Sequence, residues 1–453
     1  MKDDVMNLND ITQHEIEALK HTFNISDAHT HQSQSPTQRD IVRRLPELWY
    51  EAEKTRQYDM EQKFLYNFFR IHKQPAALKN NNVLLVYAAS IAMAITANYL
   101  MKKKMSVGLM HPCFDNIVDL LKHMEVPITA LQEEWFHDPS TIYETLEKNV
   151  TSDAIFLIDP NNPTGFTLFK FGTAGWNEVI RFAKDKKKLL ILDFCFAAFM
   201  LPDKSLDVFD LYELLETSGV TYIAMEDTGK TWPLQDAKAA MIKASADIYY
   251  DIYNIHTAYL LNVSPFILNI LNQYVLDSEK DNFASVFGLL ETNRAHGKEI
   301  LDGSLLEAID PIVKVSVLWC RIKNPKIRAT ELKEYLTNFG IHLLPGTYFY
   351  WNDHQTGQCY VRIALARDSD VFIQAMQALR LALDRYEWRF DAANGVAHPG
   401  HMAEDDFINE SIVDLEQTVF LKPKDMDAIA GFSKMTAAPA ELHGTVDSSS
   451  LKP

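Results

Sequence analysis

Between Val83 and Ala258, short apolar runs alternate with longer stretches whose apolar residues recur at helical spacing. The runs Val83–Tyr87, Ser106–Met110, Ala154–Ile158, Lys188–Asp193 and Thr221–Met225 predict strands. Such alternation builds βαβ units, hence an α/β fold with a mainly parallel sheet covered by helices on both faces. Upstream, Asn9–Glu53 reads as a helical arm. Ile41, Leu45, Leu48 and Trp49 share one helical face within Thr37–Glu53, and Pro46 is expected to kink or split that helix. The polar stretch 24–36 reads as a loop. Downstream, Phe283–Ile300 predicts a long helix. Lys314–Ile322 and Tyr360–Leu365 predict strands of a smaller α+β domain, with Ala329–Phe339 and Asp370–Tyr386 as its helices. After Glu387 periodicity fades, apart from a short helical pattern over Ile412–Leu421. The expected divisions are an arm (1–53), a large domain (54–280), a small domain (281–386) and an acidic, poorly ordered tail (387–453).

Composition narrows the partners. The chain has 453 residues, 47% of them apolar and 23% charged, with a formal net charge of -17. So acidic a surface gains no counterion release from nucleic acid or an anionic membrane, and neither partner is expected. Val83 to Leu100 is apolar enough to raise the question of a membrane span. However, Ser90, Thr96 and Asn98 interrupt it, and it divides naturally into a strand, a turn and a helix. Met1-Lys2-Asp3-Asp4-Val5 is polar and lacks the apolar core of a secretory signal, so a cytoplasmic location is expected. The four cysteines, Cys113, Cys195, Cys320 and Cys359, form no CxxC pair. They read as reduced, buried small hydrophobes, and no metal site is expected.

The candidate chemistry sits just after the apolar runs. Asp159-Pro160-Asn161-Asn162-Pro163-Thr164-Gly165 follows one, Asp193 ends the next, and Lys230 follows a third in Met225-Glu226-Asp227-Thr228-Gly229-Lys230-Thr231-Trp232-Pro233. Arg362 lies in Tyr360-Val361-Arg362-Ile363-Ala364-Leu365. Taken singly, each has a plainer reading. A lone Thr-Gly-Lys is more often a surface turn and an edge-strand Arg more often a solvated charge, while for a strand-end Asp the plainer reading, a helix cap, is the less common one.

In combination, the order Asn, Asp, Lys, Arg resembles the fold-type I enzymes that use pyridoxal phosphate (PLP). That resemblance implies a Schiff base to the cofactor on Lys230, which also moves Cα protons. Asp193 would keep the pyridine nitrogen protonated, Asn162 would bond the phenolic oxygen, and Arg362 would clamp the substrate α-carboxylate. Phosphate would sit at the helix opening with Ala88-Ala89-Ser90, helped by Thr228 and Lys238. Phe114 matches the aromatic that stacks on the ring. Two departures stand out. Asp227 replaces a small hydroxyl residue and would suit a cationic substrate side chain, and Phe196 replaces the usual tyrosine.

The string Glu226-Asp227-Thr228-Gly229-Lys230-Thr231-Trp232-Pro233, with Ile11-Thr12-Gln13-His14-Glu15, Ser26-Asp27-Ala28-His29 and His111-Pro112-Cys113-Phe114-Asp115-Asn116, is similar to the O2- and PLP-dependent L-arginine oxidases. This family includes arginine 4-hydroxylases and arginine desaturases of natural-product biosynthesis. The resemblance runs from about Asp10 to Tyr386. It implies that the arm closes over the site as a lid, that Glu15 and Asp227 hold the guanidinium, and that Thr12, Asp27 and His29 line the closed pocket, with His29 suited to moving a proton on or near water. Electrons from the substrate would pass to O2 and release H2O2, giving either a 4-hydroxylated 2-keto acid or a dehydroarginine. Fold-type I sites form at dimer interfaces, so a homodimer is expected. Ala88 and Ala89 stand where these oxidases tend to have serines. An ordinary aminotransferase or decarboxylase for a basic amino acid, and a catalytically inactive PLP-fold interaction protein, are the alternatives.

Overall fold

The computed structural model describes residues 11–393. The amino-terminal residues before Ile11, the pattern over Ile412–Leu421 and most of the acidic tail lie outside them. The chain divides into two units, Met1–Phe390 and Asp391–Pro453.

The core of the first unit is a seven-stranded sheet built from β1 (Val83–Val86), β2 (Val107–His111), β3 (Ile128–Gln132), β4 (Ala154–Ile158), β5 (Leu189–Asp193), β6 (Tyr222–Asp227) and β7 (Ala240–Ala244). Its order is β1-β7-β6-β5-β4-β2-β3. The central strands β6, β5, β4 and β2 run parallel to one another and to β3, whereas β7 is antiparallel to both its neighbours. Every residue of β2, β4, β5 and β6 is buried. Burial on both faces is why these strands read as unbroken apolar runs. The five strands expected from the pattern are present, with ends shifted by one or two residues. β3 and β7 were not expected.

A second sheet is wholly antiparallel, with β8 (Leu306–Ile309), β9 (Val317–Ile322), β10 (Leu344–Pro345) and β11 (Tyr360–Ala364) in the order β10-β11-β9-β8. The helix Ala284–Leu301 precedes it, and the helix Ser369–Ala393 comes after it, running past the expected end at Tyr386.

The arm is stitched to this smaller sheet's side of the molecule. Its helix Ile11–Ala18 is followed by Phe23–Asn24, which pairs in parallel with Ile341–His342. The stretch read as a loop therefore begins as a short strand. Pro46 does split the next helical segment, into Pro36–Arg43 and Leu45–Lys54 with Pro46 in the first turn of the second. Ser35 caps the first of these through a reciprocal box with Gln38. Among the described residues no helix is long and apolar enough to cross a membrane. Val83–Leu100 instead forms β1 and most of the helix Ala89–Lys103.

Candidate active site

Parallel strands deliver their carboxyl ends to one edge of a sheet, and the residues just beyond those ends share a crevice. Here Ile158, Asp193 and Met225 are in register across β4, β5 and β6. Asn162, Asp193, Asp227 and Lys230 therefore emerge together. They line one cavity of about 230 Å³, joined by Ala89, Ser90, Phe114 and Lys238 from segments around the same sheet and by Thr12, Glu15 and His29 from the arm. The sequence had offered these residues separately; the fold brings them to one place.

Burial raises both acids, but their hydrogen bonding differs. Asp193 accepts the Cys195 amide at 2.9 Å. Burial pushes its carboxyl above the ordinary range, against hydrogen bonds from Cys195 and the nearby Lys230 ammonium. Asp227 is raised by burial as well, and Lys230 and Lys238 oppose this. One carboxyl oxygen of Asp227, Oδ1, has no hydrogen-bond partner although the residue is buried. A buried carboxylate oxygen in that state is an acceptor awaiting a donor.

Three expected site residues do not line this cavity. The Thr228 hydroxyl donates to the Ala239 carbonyl at 2.8 Å and accepts the Ala239 amide at 2.9 Å. It closes the 228–239 loop and lies on an adjoining cavity with His29, His31 and Lys238. Asp27 is a buried hub. Its Oδ1 meets Nδ1 of His29 at 3.2 Å and Nε2 of His31 at 2.8 Å, and its Oδ2 accepts from Asn24 and Arg367. Arg362 is fully buried, with Nη2 donating to Glu15 at 2.9 Å and to the Ser26 carbonyl at 2.6 Å, and Nη1 donating to Asn162 at 3.3 Å.

Sequence reasoning passed over several supporting residues. Asn116 donates to the Thr12 hydroxyl at 3.2 Å, tying the arm to the helix Asp115–His123. Glu133 receives Asn161 at 2.6 Å and Thr164 at 2.5 Å, and so brackets Asn162. Arg367 donates to the carbonyls of Asn24, Asp27 and His29. Cys195 lines the cavity and is only partly buried, as is Cys359 outside it, whereas Cys113 and Cys320 are buried. Asn116 lay inside a string already singled out and Cys195 two residues past Asp193; Glu133 and Arg367 carried no local signal.

The residues present fit PLP. A lysine stands beside a buried strand-end carboxylate and an amide-bearing turn. The helix Ala89–Lys103 opens onto the cavity with no side-chain cap, leaving its first-turn donors and dipole for an anion, with Lys238 adjacent. Among the described residues no cluster of three or more His, Cys, Asp or Glu is placed to hold a metal.

Comparison with known proteins gives the class, an aminotransferase-like enzyme. Residues 50–379 match the family model Aminotransferase class I and II, and the chain belongs to that family. Among solved structures it is similar to MppP soaked with the product 2-ketoarginine, at 30% identity and a TM-score of 0.72 over 80% of this chain and 99% of that one. α-Aminoadipate aminotransferase LysN from Thermus thermophilus (13% identity, TM-score 0.66, 83% and 95% covered) shares the fold. So does histidinol-phosphate aminotransferase from Clostridium acetobutylicum (16%, 0.60, 80% and 99%). A search of curated proteins by sequence gave no match.

Proposed function

We propose that this protein is a PLP- and O2-dependent L-arginine oxidase, yielding a 4-hydroxylated 2-keto acid or a dehydroarginine with H2O2. Family membership supports the cofactor. The observation that carries the substrate is Asp227, whose buried and unpartnered Oδ1 shares a cavity with Lys230 and Glu15. An anionic pocket of this kind suits a guanidinium, which offers five donors in a planar fork. Similarity to a protein solved with 2-ketoarginine supports the same substrate class.

When bound, the cofactor supplies an electron sink for the bond broken at the substrate Cα. The chain's own groups do the rest. Lys230 Nζ would hold the cofactor and would be placed to take the Cα proton. Asp193 would keep the pyridine nitrogen protonated. Asn162 would bond the phenolic oxygen, and Phe114 would cover the ring. Ala89 and Ser90, in the first turn of their helix, would hold the phosphate with Lys238; the Thr228 hydroxyl would contribute only by fixing the loop. Arg362 takes the α-carboxylate, while Glu15 and Asp227 take the guanidinium. His29, oriented by Asp27, moves a proton on water beside the side chain, and Thr12 shapes that end of the pocket. The arm excludes bulk water. We place the enzyme in the cytoplasm as a homodimer.

L-Arginine incubated in air, with oxygen uptake and product mass followed together, tests this. Gain of two oxygens, the 2-keto and the 4-hydroxyl, with loss of the amine marks the hydroxylase; loss of two hydrogens with the amine retained marks the desaturase. No oxygen uptake, with turnover only on adding a keto-acid acceptor, would establish the second reading, an aminotransferase for a basic amino acid. Membership of the aminotransferase class I and II family is compatible with that alternative as well. Borohydride reduction must tag Lys230 under either reading.

A further inference from the structure

Glu15 and Arg362 stand at opposite ends of the substrate in the proposed function, yet here they are bonded to each other. Arg362 Nη2 donates to Glu15 Oε1 at 2.9 Å. The arginine side chain is 0% exposed and that of the glutamate 10%. The pair joins the arm helix Ile11–Ala18 to strand β11, and Glu15 lines the cavity that also holds Lys230.

A buried ion pair is stable as a pair; opened on one side, it leaves an uncompensated charge in a poorly hydrated space. Any ligand whose carboxylate takes the Arg362 fork must displace the Glu15 carboxylate, which then needs a new cation. An amino acid with a neutral side chain replaces one half of the pair and strands the other. An amino acid with a distal cation replaces both halves, its carboxylate going to Arg362 and its cation to Glu15 and the unpartnered Oδ1 of Asp227.

We infer that the Glu15–Arg362 pair determines specificity by ion-pair exchange. The arm's own carboxylate occupies the site of the substrate carboxylate and yields only to a ligand that restores both charges. Selection thus rests on a penalty against neutral amino acids as well as on attraction to cationic ones. This inference rests on the proposed assignment of Arg362 and Glu15 to the two ends of the substrate.

The test measures dissociation constants of the holoenzyme for L-norvaline and L-arginine, from the change in its visible absorption under nitrogen so that oxidation does not intervene. Glu15→Gln removes the competing charge. It should tighten norvaline at least about tenfold while leaving arginine unchanged or weaker. Weakening of both ligands, or weakened arginine with unchanged norvaline, overturns the exchange. A second measurement needs no variant. Methylguanidine added to wild type should tighten norvaline by giving the released Glu15 a cation, and norvaline should tighten methylguanidine by the same factor. Independent binding of the two overturns the inference even if Glu15→Gln fails to fold. Failure of the functional reading is separate, since it shows as absent oxygen uptake with arginine in air.

Discussion

Arg367 ties the arm to the rest of the protein through four hydrogen bonds, and Arg367→Met tests how much they hold. Its side chain is 7% exposed and that of its partner Asp27 1%. The guanidinium donates to Asn24 O at 3.0 Å, His29 O at 3.2 Å, Asp27 O at 3.0 Å and Asp27 Oδ2 at 3.0 Å, and back to Ala366 O at 2.9 Å. Methionine matches much of the stem but supplies none of these donors. Removing one partner of a buried pair typically costs about 3–5 kcal/mol. The Asp27 carboxylate keeps His29, His31 and Asn24, so the low end, about 3 kcal/mol, is expected for docking of the 23–31 segment.

That figure corresponds to roughly a hundredfold rise in the open population of the segment. Amide hydrogen exchange of the full-length holoenzyme reads it directly at Ile25 and His31, whose amides donate to His342 O and Ala366 O at 3.0 Å each. Arg367→Lys should recover only part of the protection, because an ammonium cannot span the same fork of acceptors. A change of less than about threefold at these amides would refute the reasoning. A pH dependence is expected as well. Burial raises the Asp27 carboxyl, but the hydrogen bonds from His29 and His31, with Arg367, outweigh it and hold the group far below the usual range. Its stabilisation is therefore complete above about pH 4 and drains away as pH falls further.

Gly165→Ala should unseat the Asn162 turn, because φ is +70° there and a Cβ would lie 2.5 Å from both Pro311 Cβ and the Val313 carbonyl oxygen. Loss of about 2 kcal/mol or more in urea unfolding, with weaker cofactor retention, is expected; an unchanged midpoint would contradict it. Burial lifts the Glu226 carboxyl to about 8 despite its bond from Tyr212. The folded state holds that proton more tightly than the unfolded chain, so stability falls as pH rises from about 4.3 toward 8. Glu226→Gln mimics the neutral acid and should flatten that slope in melting curves; parallel slopes would count against it. His72, on the same small cavity, is pushed to about 4 by burial, against its bond to the Phe68 carbonyl. Stability should therefore fall by about 3 kcal/mol as pH drops from about 6.5 to 4, and His72→Gln should remove that loss.

How much could be read in the sequence depends on the range of the interactions involved. Strands buried on both faces announce themselves as apolar runs, and a polar residue ending such a run can only stand at the sheet edge. Asp193, Asn162 and Lys230 were legible on those grounds. β7 was not, because Lys243 interrupts Ala240–Ala244. Its ammonium is buried and satisfied by Asn82, Glu216 and the Lys79 carbonyl, partners distant in the chain. β3 is an edge strand with mixed burial and a weak pattern. The bonds of Thr228 to Ala239 across a loop leave no mark on composition. Motifs named Glu15, Asp27 and Arg362, but the pairing of Glu15 with Arg362, 347 positions apart, and of Arg367 with Asp27, 340 apart, exists only in the folded chain.

These two kinds of placement should respond differently to substitution. Groups at the strand ends are held by backbone that the core cannot surrender without unfolding, so the strand-end half of the cavity is expected to be the harder to displace. The arm contributes Glu15 and His29 through side-chain bonds to Arg362, Asp27 and Arg367. Each of those bonds can be broken at a local cost of a few kcal/mol without loss of the sheet. Arm substitutions are therefore expected to change which amino acid is accepted, and what becomes of it, before they change whether the cofactor is held. Variants at Asp193 or Lys230 should show the reverse order. An arm variant that lost cofactor as readily as substrate discrimination would show that the two halves are not separable.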